Sequence, residues 1–296
     1  MKKTIFTGAA VALVTPFNPD GSINFEKYGQ LIDRQIDNGT DCIVAVATTG
    51  ENATLSGDEH RALMEFAVKR VNKRVPIICS TGSNDTAWGR QTTKAAEEAG
   101  ADGLLLVTPY YNKTSQHGLI KHYEMMLRDV SLPAIVYNVP SRTGFSIAPE
   151  TYKELSKHPQ IVATKEASGN LSLVAKTLDL CGDDLAVYSG NDDQIVPIMS
   201  LGGKGVISVL SNVLPFETHE ICRLCLEDNF TEARKLALKY LELANALFVD
   251  VNPVPVKEAM NMMGMGVGEC RPPLFGMTER NKVAVWDALE KVGLVK

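Results

Sequence analysis

Two hydrophobic periods alternate along this chain. Short runs of β-branched and small apolar residues give way to longer stretches in which apolar positions recur every three or four residues. The first pattern marks buried strands and the second marks amphipathic helices. Strands are expected at 9–14, 42–46, 76–79, 103–107, 134–138, 161–165, 185–189 and 205–209, with helices between them, for example at 24–38, 56–71, 85–99, 115–128, 171–180 and 194–201. Ser56-Gly-Asp-Glu59 has the form of a capping box, and Gly100 and Gly182 stand where helices should stop. After residue 228 the strand pattern ends, and 230–247, 254–263 and 279–292 all read as helical.

Strands alternating with helices at roughly 20–35-residue spacing allow a closed (β/α)8 barrel or an open doubly wound sheet. The count of eight favours the barrel, as does the absence of a strand–GxGxxG–helix unit. The run Gly202-Gly203-Lys204-Gly205 precedes a strand instead of following one, and the glycines at 264–268 follow a helix with the wrong spacing for a dinucleotide fingerprint. The expected architecture is therefore α/β: a (β/α)8 TIM barrel over 1–228, with a small helical C-terminal region over 229–296 packed on it.

Composition narrows the function. The 296 residues are 45% hydrophobic and 22% charged, with net charge −5 and no basic run. That argues against a nucleic-acid or membrane-surface role. Met1-Lys-Lys ahead of an apolar stretch has the outline of a signal peptide. Thr4, Thr7 and Gly8 interrupt it, however, and a turn at 15–21 follows, so a first strand is the better reading. No apolar run approaches the ~20 residues of a membrane span. The six cysteines are scattered, and Cys222-x-x-Cys225 has neither a second pair nor a histidine set beside it. These are expected to be core residues of a protein of the reducing cytoplasm.

Barrel chemistry sits at the carboxyl ends of the strands, and polar residues collect there. The second strand runs into Thr48-Thr49-Gly50-Glu51, the fourth into Thr108-Pro-Tyr110-Tyr111-Asn112, and the fifth into Tyr137-Asn-Val-Pro-Ser-Arg142-Thr-Gly144. The sixth ends in Lys165 and the seventh in Ser189-Gly190-Asn191. Each alone has an ordinary reading: capping hydroxyls, packing aromatics, a surface arginine, a lysine snorkelling to solvent. Asp192 and Asp193 read as acids favoured by a helix N-terminus. The histidines at 60, 117, 122, 158 and 219 show no ligand or triad spacing, and none is assigned to catalysis. Together, the strand ends meet the needs of one chemistry. A lysine buried at a strand end loses hydration of its charged form, which can lower its pKa to roughly 7–8 and make the amine a Schiff-base nucleophile. Hydroxyls can relay the protons, and an arginine can grip a carboxylate through paired hydrogen bonds. The set points to a lyase or aldolase acting on a 2-oxo acid.

With Thr-Thr-Gly-Glu at 48–51, Pro-Tyr-Tyr-Asn at 109–112, Tyr-Asn-Val-Pro-Ser-Arg-Thr-Gly at 137–144 and Lys-Glu-Ala at 165–167, nearly the whole chain resembles the dihydrodipicolinate synthase family. That family belongs to the pyruvate-dependent class I aldolases, which also include N-acetylneuraminate lyase. The resemblance implies that Lys165 forms the imine with pyruvate and that Tyr137 is the general acid/base, linked through Thr48 to Tyr111 of a neighbouring subunit. It implies further that Arg142 holds the carboxylate of L-aspartate 4-semialdehyde, and that Thr49, the Gly190 carbonyl and the backbone near Ile207 complete the pyruvate pocket. The working unit would be a homo-oligomer, usually a dimer of dimers, and no metal or organic cofactor is implied. The doubled threonine and Arg142 favour the synthase over a sugar-acid lyase, which is the alternative. A carboxylate-sensing barrel without activity would have lost Lys165 or Tyr137, and both are present. A phosphate-handling isomerase fits poorly, because the glycine run precedes the last strand.

Two departures from the family pattern bear on regulation and shape. Ala47 replaces the usual glycine before the threonine pair. In the family's lysine feedback site, Ala53, His60, Asn84 and Tyr110 match, but Gly57 stands in place of a histidine and Trp88 in place of the acid that binds the effector's amine. Weak or absent inhibition by lysine is expected.

Overall fold

The computed structural model describes residues 2–296. Eight parallel strands close on themselves in sequence order. They are β1 (Gly8–Ala12), β2 (Cys42–Ala45), β3 (Ile77–Ser80), β4 (Gly103–Val107), β5 (Ala134–Asn138), β6 (Ile161–Glu166), β7 (Ala186–Ser189) and β8 (Gly205–Ser208). Parallel neighbours need a crossover, and helices supply it. These are α1 (Phe25–Asp37), α2 (Gly57–Val71), α3 (Thr86–Ala99), α4 (Gln116–Leu127), α5 (Pro140–Thr143), α6 (Pro149–Leu155), α7 (Leu171–Cys181) and α8 (Ile195–Ser200). α9 (Pro215–Leu226) follows β8, and α10 (Phe230–Ala246), α11 (Val254–Met262) and α12 (Glu279–Lys291) complete the chain. The (β/α)8 barrel with a helical C-terminal region is the architecture expected.

Local chemistry explains the boundaries. Asn24, Ser56, Asp85, Ser115 and Asn170 each cap the helix that follows by accepting a backbone N–H, and Ser56 with Glu59 forms the full capping box. Gly100 ends α3 at φ 89°, in the left-handed region that a side chain disfavours.

Side chains alternate across each strand, which divides the interior in two. Ala10, Ala12, Val44, Ile78, Leu105, Ile135, Tyr137, Ala163, Tyr188 and Ile207 fill the barrel itself. Val11, Ile43, Ile77, Leu104 and Val136 face the helix layer. A register irregularity between β5 and β6 matters for the chemistry. Ala134 pairs with Ile161 but Ile135 with Ala163, so Val162 is an extra residue in β6. Beyond this bulge Tyr137 pairs with Lys165, and Lys165 with Tyr188, on three adjacent strands.

Candidate active site

Lys165 and Glu166 are successive residues of β6 and therefore point to opposite faces. Glu166 turns toward the helix layer, where its carboxylate accepts from Asn138 Nδ2 at 3.1 Å, Tyr152 Oη at 2.8 Å and the Ser168 N–H at 2.8 Å. Asn138 also accepts from the Ile147 N–H at 3.1 Å. The loop that carries Arg142 is thus anchored to the same strand pair. Lys165 turns inward and is 5% exposed. Its Nζ lies 4.4 Å from the centre of the Tyr137 ring.

Burial lowers the Lys165 pKa to about 8; the Asp192 carboxylate opposes that shift, and the Arg142 guanidinium reinforces it. Burial also pushes the Tyr137 phenol up to about 12, with Arg142 pulling it down and Glu166 adding to the rise. The pair is therefore a partly neutral amine beside a protonated phenol, which suits nucleophilic attack with proton donation alongside it.

The two side chains open into a cavity of about 180 Å³ at the carboxyl-terminal mouth of the barrel, whose walls include Thr48, Thr49, Arg142 and Gly190. The volume suits a small molecule of a few carbons. A hollow of about 620 Å³ lies at the opposite face, around Lys73 and Asp102. Those two side chains pair with each other at 2.8 Å.

Five of the expected site residues other than Lys165 itself, namely Tyr137, Thr48, Thr49, Arg142 and Gly190, are brought together around the lysine. Two are placed elsewhere. Ile207 packs inside the barrel, and Val209, two residues on, reaches the cavity wall instead. Tyr111 stands outside the cavity, 93% exposed, on the loop after β4 at φ 68°. Asp192 does more than favour a helix N-terminus. It is buried and accepts from Ser208 Oγ at 2.5 Å and from the N–H groups of Val209 and Leu210 at 3.1 and 2.9 Å, fastening β7 to the end of β8.

Sequence reasoning did not single out Ser141, Phe248 or Asn252 as cavity residues. Asn252 reaches Thr49 across 203 positions of chain, a pairing that no local pattern signals. The residues matched to a feedback site, Ala53, His60, Asn84 and Tyr110, lie on or beside the loops at the start of α2, before α3 and after β4. There the Trp88 indole covers Gly57: a Cβ added at Gly57 would lie 2.8 Å from Trp88 Cη2. Among the described residues, no cluster of His, Cys, Asp and Glu could hold a metal ion, and no helix is long and apolar enough to cross a membrane. All six cysteines are free.

Fold and site together define a barrel enzyme of the lyase class. Residues 5–292 match the model of the dihydrodipicolinate synthetase family, and the chain belongs to that family. It is 49% identical over 295 residues to the 4-hydroxy-tetrahydrodipicolinate synthase of Acetivibrio thermocellus, covering 100% of both chains. Its identity to the enzyme of the same name from Caldicellulosiruptor saccharolyticus is 53% over 290 residues, covering 98% of each. Among solved structures, the chloride-inhibited dihydrodipicolinate synthase of Acinetobacter baumannii in complex with pyruvate superposes with a TM-score of 0.96. The two are 40% identical, over 99% of this chain and 100% of that one.

Proposed function

We propose that this chain is a 4-hydroxy-tetrahydrodipicolinate synthase, which condenses pyruvate with L-aspartate 4-semialdehyde on the route to diaminopimelate and lysine. The observation that carries the reading is the inward-facing, desolvated Lys165 beside Tyr137 in a cavity that also holds Arg142. The relatives at about half identity over their full length support the substrates.

The neutral Lys165 amine attacks the pyruvate C2 carbonyl. Tyr137 then protonates the carbinolamine hydroxyl, which leaves as water to give the imine. Loss of a C3 proton yields the enamine, and C3 attacks the aldehyde while Arg142 holds the second substrate's carboxylate. The substrate's own amine then attacks the imine carbon, closing the ring and releasing Lys165. Thr48 links Tyr137 to Tyr111 of a neighbouring subunit as a proton relay, and Thr49, the Gly190 carbonyl and the backbone near Ile207 form the pyruvate subsite. Residues 1–228 are the catalytic barrel and 229–296 a helical region that braces it.

Tyr111 acts in a second subunit's site, so the working unit is a homo-oligomer, a dimer of dimers. In support, the ring is almost fully exposed, and its loop stands in a left-handed backbone conformation that a tyrosine adopts at a cost. The free cysteines fit an enzyme of the reducing cytoplasm.

The test is to incubate with pyruvate, reduce with borohydride and map the added mass. The expected adduct is on Lys165, with turnover of aspartate semialdehyde and none of N-acetylneuraminate. An adduct on another lysine, or none, would overturn the mechanism.

Regulation follows from Trp88. The indole occupies the space over Gly57 and offers no carboxylate to an effector's ammonium. Losing such a charge-assisted bond weakens binding by about 1.5–3 kcal/mol, on the order of 10–100-fold. Activity titrated with L-lysine should therefore stay flat through the micromolar range. Half-inhibition at micromolar lysine would show that the site is intact.

A further inference from the structure

The Thr48–Glu51 turn does not hold its shape by local preference. Val46 and Glu51 stand at φ 50° and 58°, in the left-handed region that β-branched and long side chains disfavour. The support comes from the segment leading into α11. Asn252 Nδ2 donates to Thr49 Oγ1 at 3.0 Å, and the Asn252 carbonyl accepts from Arg142 Nη2 at 3.0 Å. Five residues on, Lys257 Nζ meets Glu51 Oε1 at 2.9 Å. Asn252 is only 5% exposed, lines the cavity, and has its Oδ1 buried without a partner. An unpaired buried amide oxygen is a cost that a purely structural position would be expected to shed.

We propose that Asn252 is a positioning residue: its side chain sets the Thr49 hydroxyl for the pyruvate carboxylate, and its main chain ties that subsite to Arg142. The inference rests on the proposed function. It has a property that separates it from a general structural role, because the two arms are chemically distinct. Replacing the side chain removes only the link to Thr49, while the link to Arg142 is carried by the carbonyl and persists. Loss of one arm should therefore weaken pyruvate without weakening the aldehyde.

Asn252→Ala should raise KM for pyruvate about tenfold, the scale of one hydrogen bond to a bound anion, and leave KM for aspartate semialdehyde within about twofold. Asn252→Ser, too short to span to Thr49, should do the same and serves if the alanine variant folds poorly. Thr49→Val should match them. The double variant Asn252→Ala/Thr49→Val should be no worse than the poorer single change, because both act through one contact. Half-maximal inactivation by pyruvate with borohydride should shift by the same factor as KM. Additive effects in the double variant, an equal rise in both KM values, or an unchanged pyruvate KM would overturn the proposal. If the wild-type protein forms no adduct at all, the functional reading fails; if it does and Asn252→Ala matches it at every pyruvate concentration, only the clamp fails.

Discussion

Lys165→Met should abolish activity and at the same time make the protein more stable at neutral pH. Methionine has nearly the length of lysine but no amine, so no imine can form. Removing a covalent nucleophile costs on the order of 10⁴-fold or more in kcat. The gain in stability follows from linkage. The Lys165 pKa falls from 10.5 to about 8 on folding, so between those values the unfolded chain binds more protons than the folded one. Stability therefore rises with pH across that window. Below about pH 8 the buried ammonium carries its full cost of about 3 kcal/mol, at 1.36 kcal/mol per pKa unit. Thermal unfolding of the methionine variant at pH 7 should thus lie above wild type, and the difference should shrink as the pH rises from 8 toward 10.5. The same pKa sets the wild-type rate profile. Borohydride trapping at limiting pyruvate should quicken as pH rises to about 8, while the amine deprotonates, and level off above it. A lysine variant that loses stability at pH 7, or a trapping rate that still climbs steeply past pH 9, would mean that the side chain is not desolvated as described.

How much of this site was legible in the chain depends on how far apart its partners lie. The strands and the Ser56 capping box were legible because each rests on neighbours within a few residues. Asn24, Asp85 and Ser115, by contrast, read as the first residues of their helices and are in the structure the caps one residue before them. Lys165 was legible because strand alternation and its position at a strand end are local properties, and the rule that barrel chemistry gathers at strand ends brought Thr48, Tyr137 and Arg142 to it. The bulge at Val162 was not, since it is a relation between two strands and leaves no mark on either alone. α6 is seven residues, too short to display a helical period. Asp192 looked like one of two equivalent acids, and only the fold shows that it reaches three donors on β8 and beyond while Asp193 does not. Tyr111 lies outside the cavity of its own chain, 93% exposed, so the cavity of a single chain says nothing of the role that the resemblance implies for it.

The largest loss of stability should come from breaking the Glu51–Lys257 pair, which joins the catalytic turn to the C-terminal helices. The ion pair spans 2.9 Å, with side chains only 2% and 1% exposed for Lys257 and Glu51. Lys257 Nζ also donates to the carbonyls of Thr15 and Glu269 at 3.1 and 2.7 Å, and the second Glu51 oxygen accepts from the Arg271 N–H at 2.8 Å. Every arm of the pair is therefore satisfied, and removing one member strands a buried charge. Glu51→Gln or Lys257→Met should each cost about 3–5 kcal/mol. For a chain of this size, at roughly 2–4 °C per kcal/mol, that is a fall of about 10 °C in Tm. The double variant Glu51→Gln/Lys257→Met leaves no unpaired charge and should recover much of the loss, since a buried pair gains little over neutral groups once desolvation is counted. It should not recover pyruvate affinity. The Glu51 backbone stands at φ 58° two residues from Thr49, and without the ammonium anchor the turn can relax and carry the threonine hydroxyls with it. Differential scanning calorimetry and pyruvate KM, measured on the same three variants, separate these outcomes. Recovery of both Tm and KM in the double variant would show that the pair only stabilises the fold.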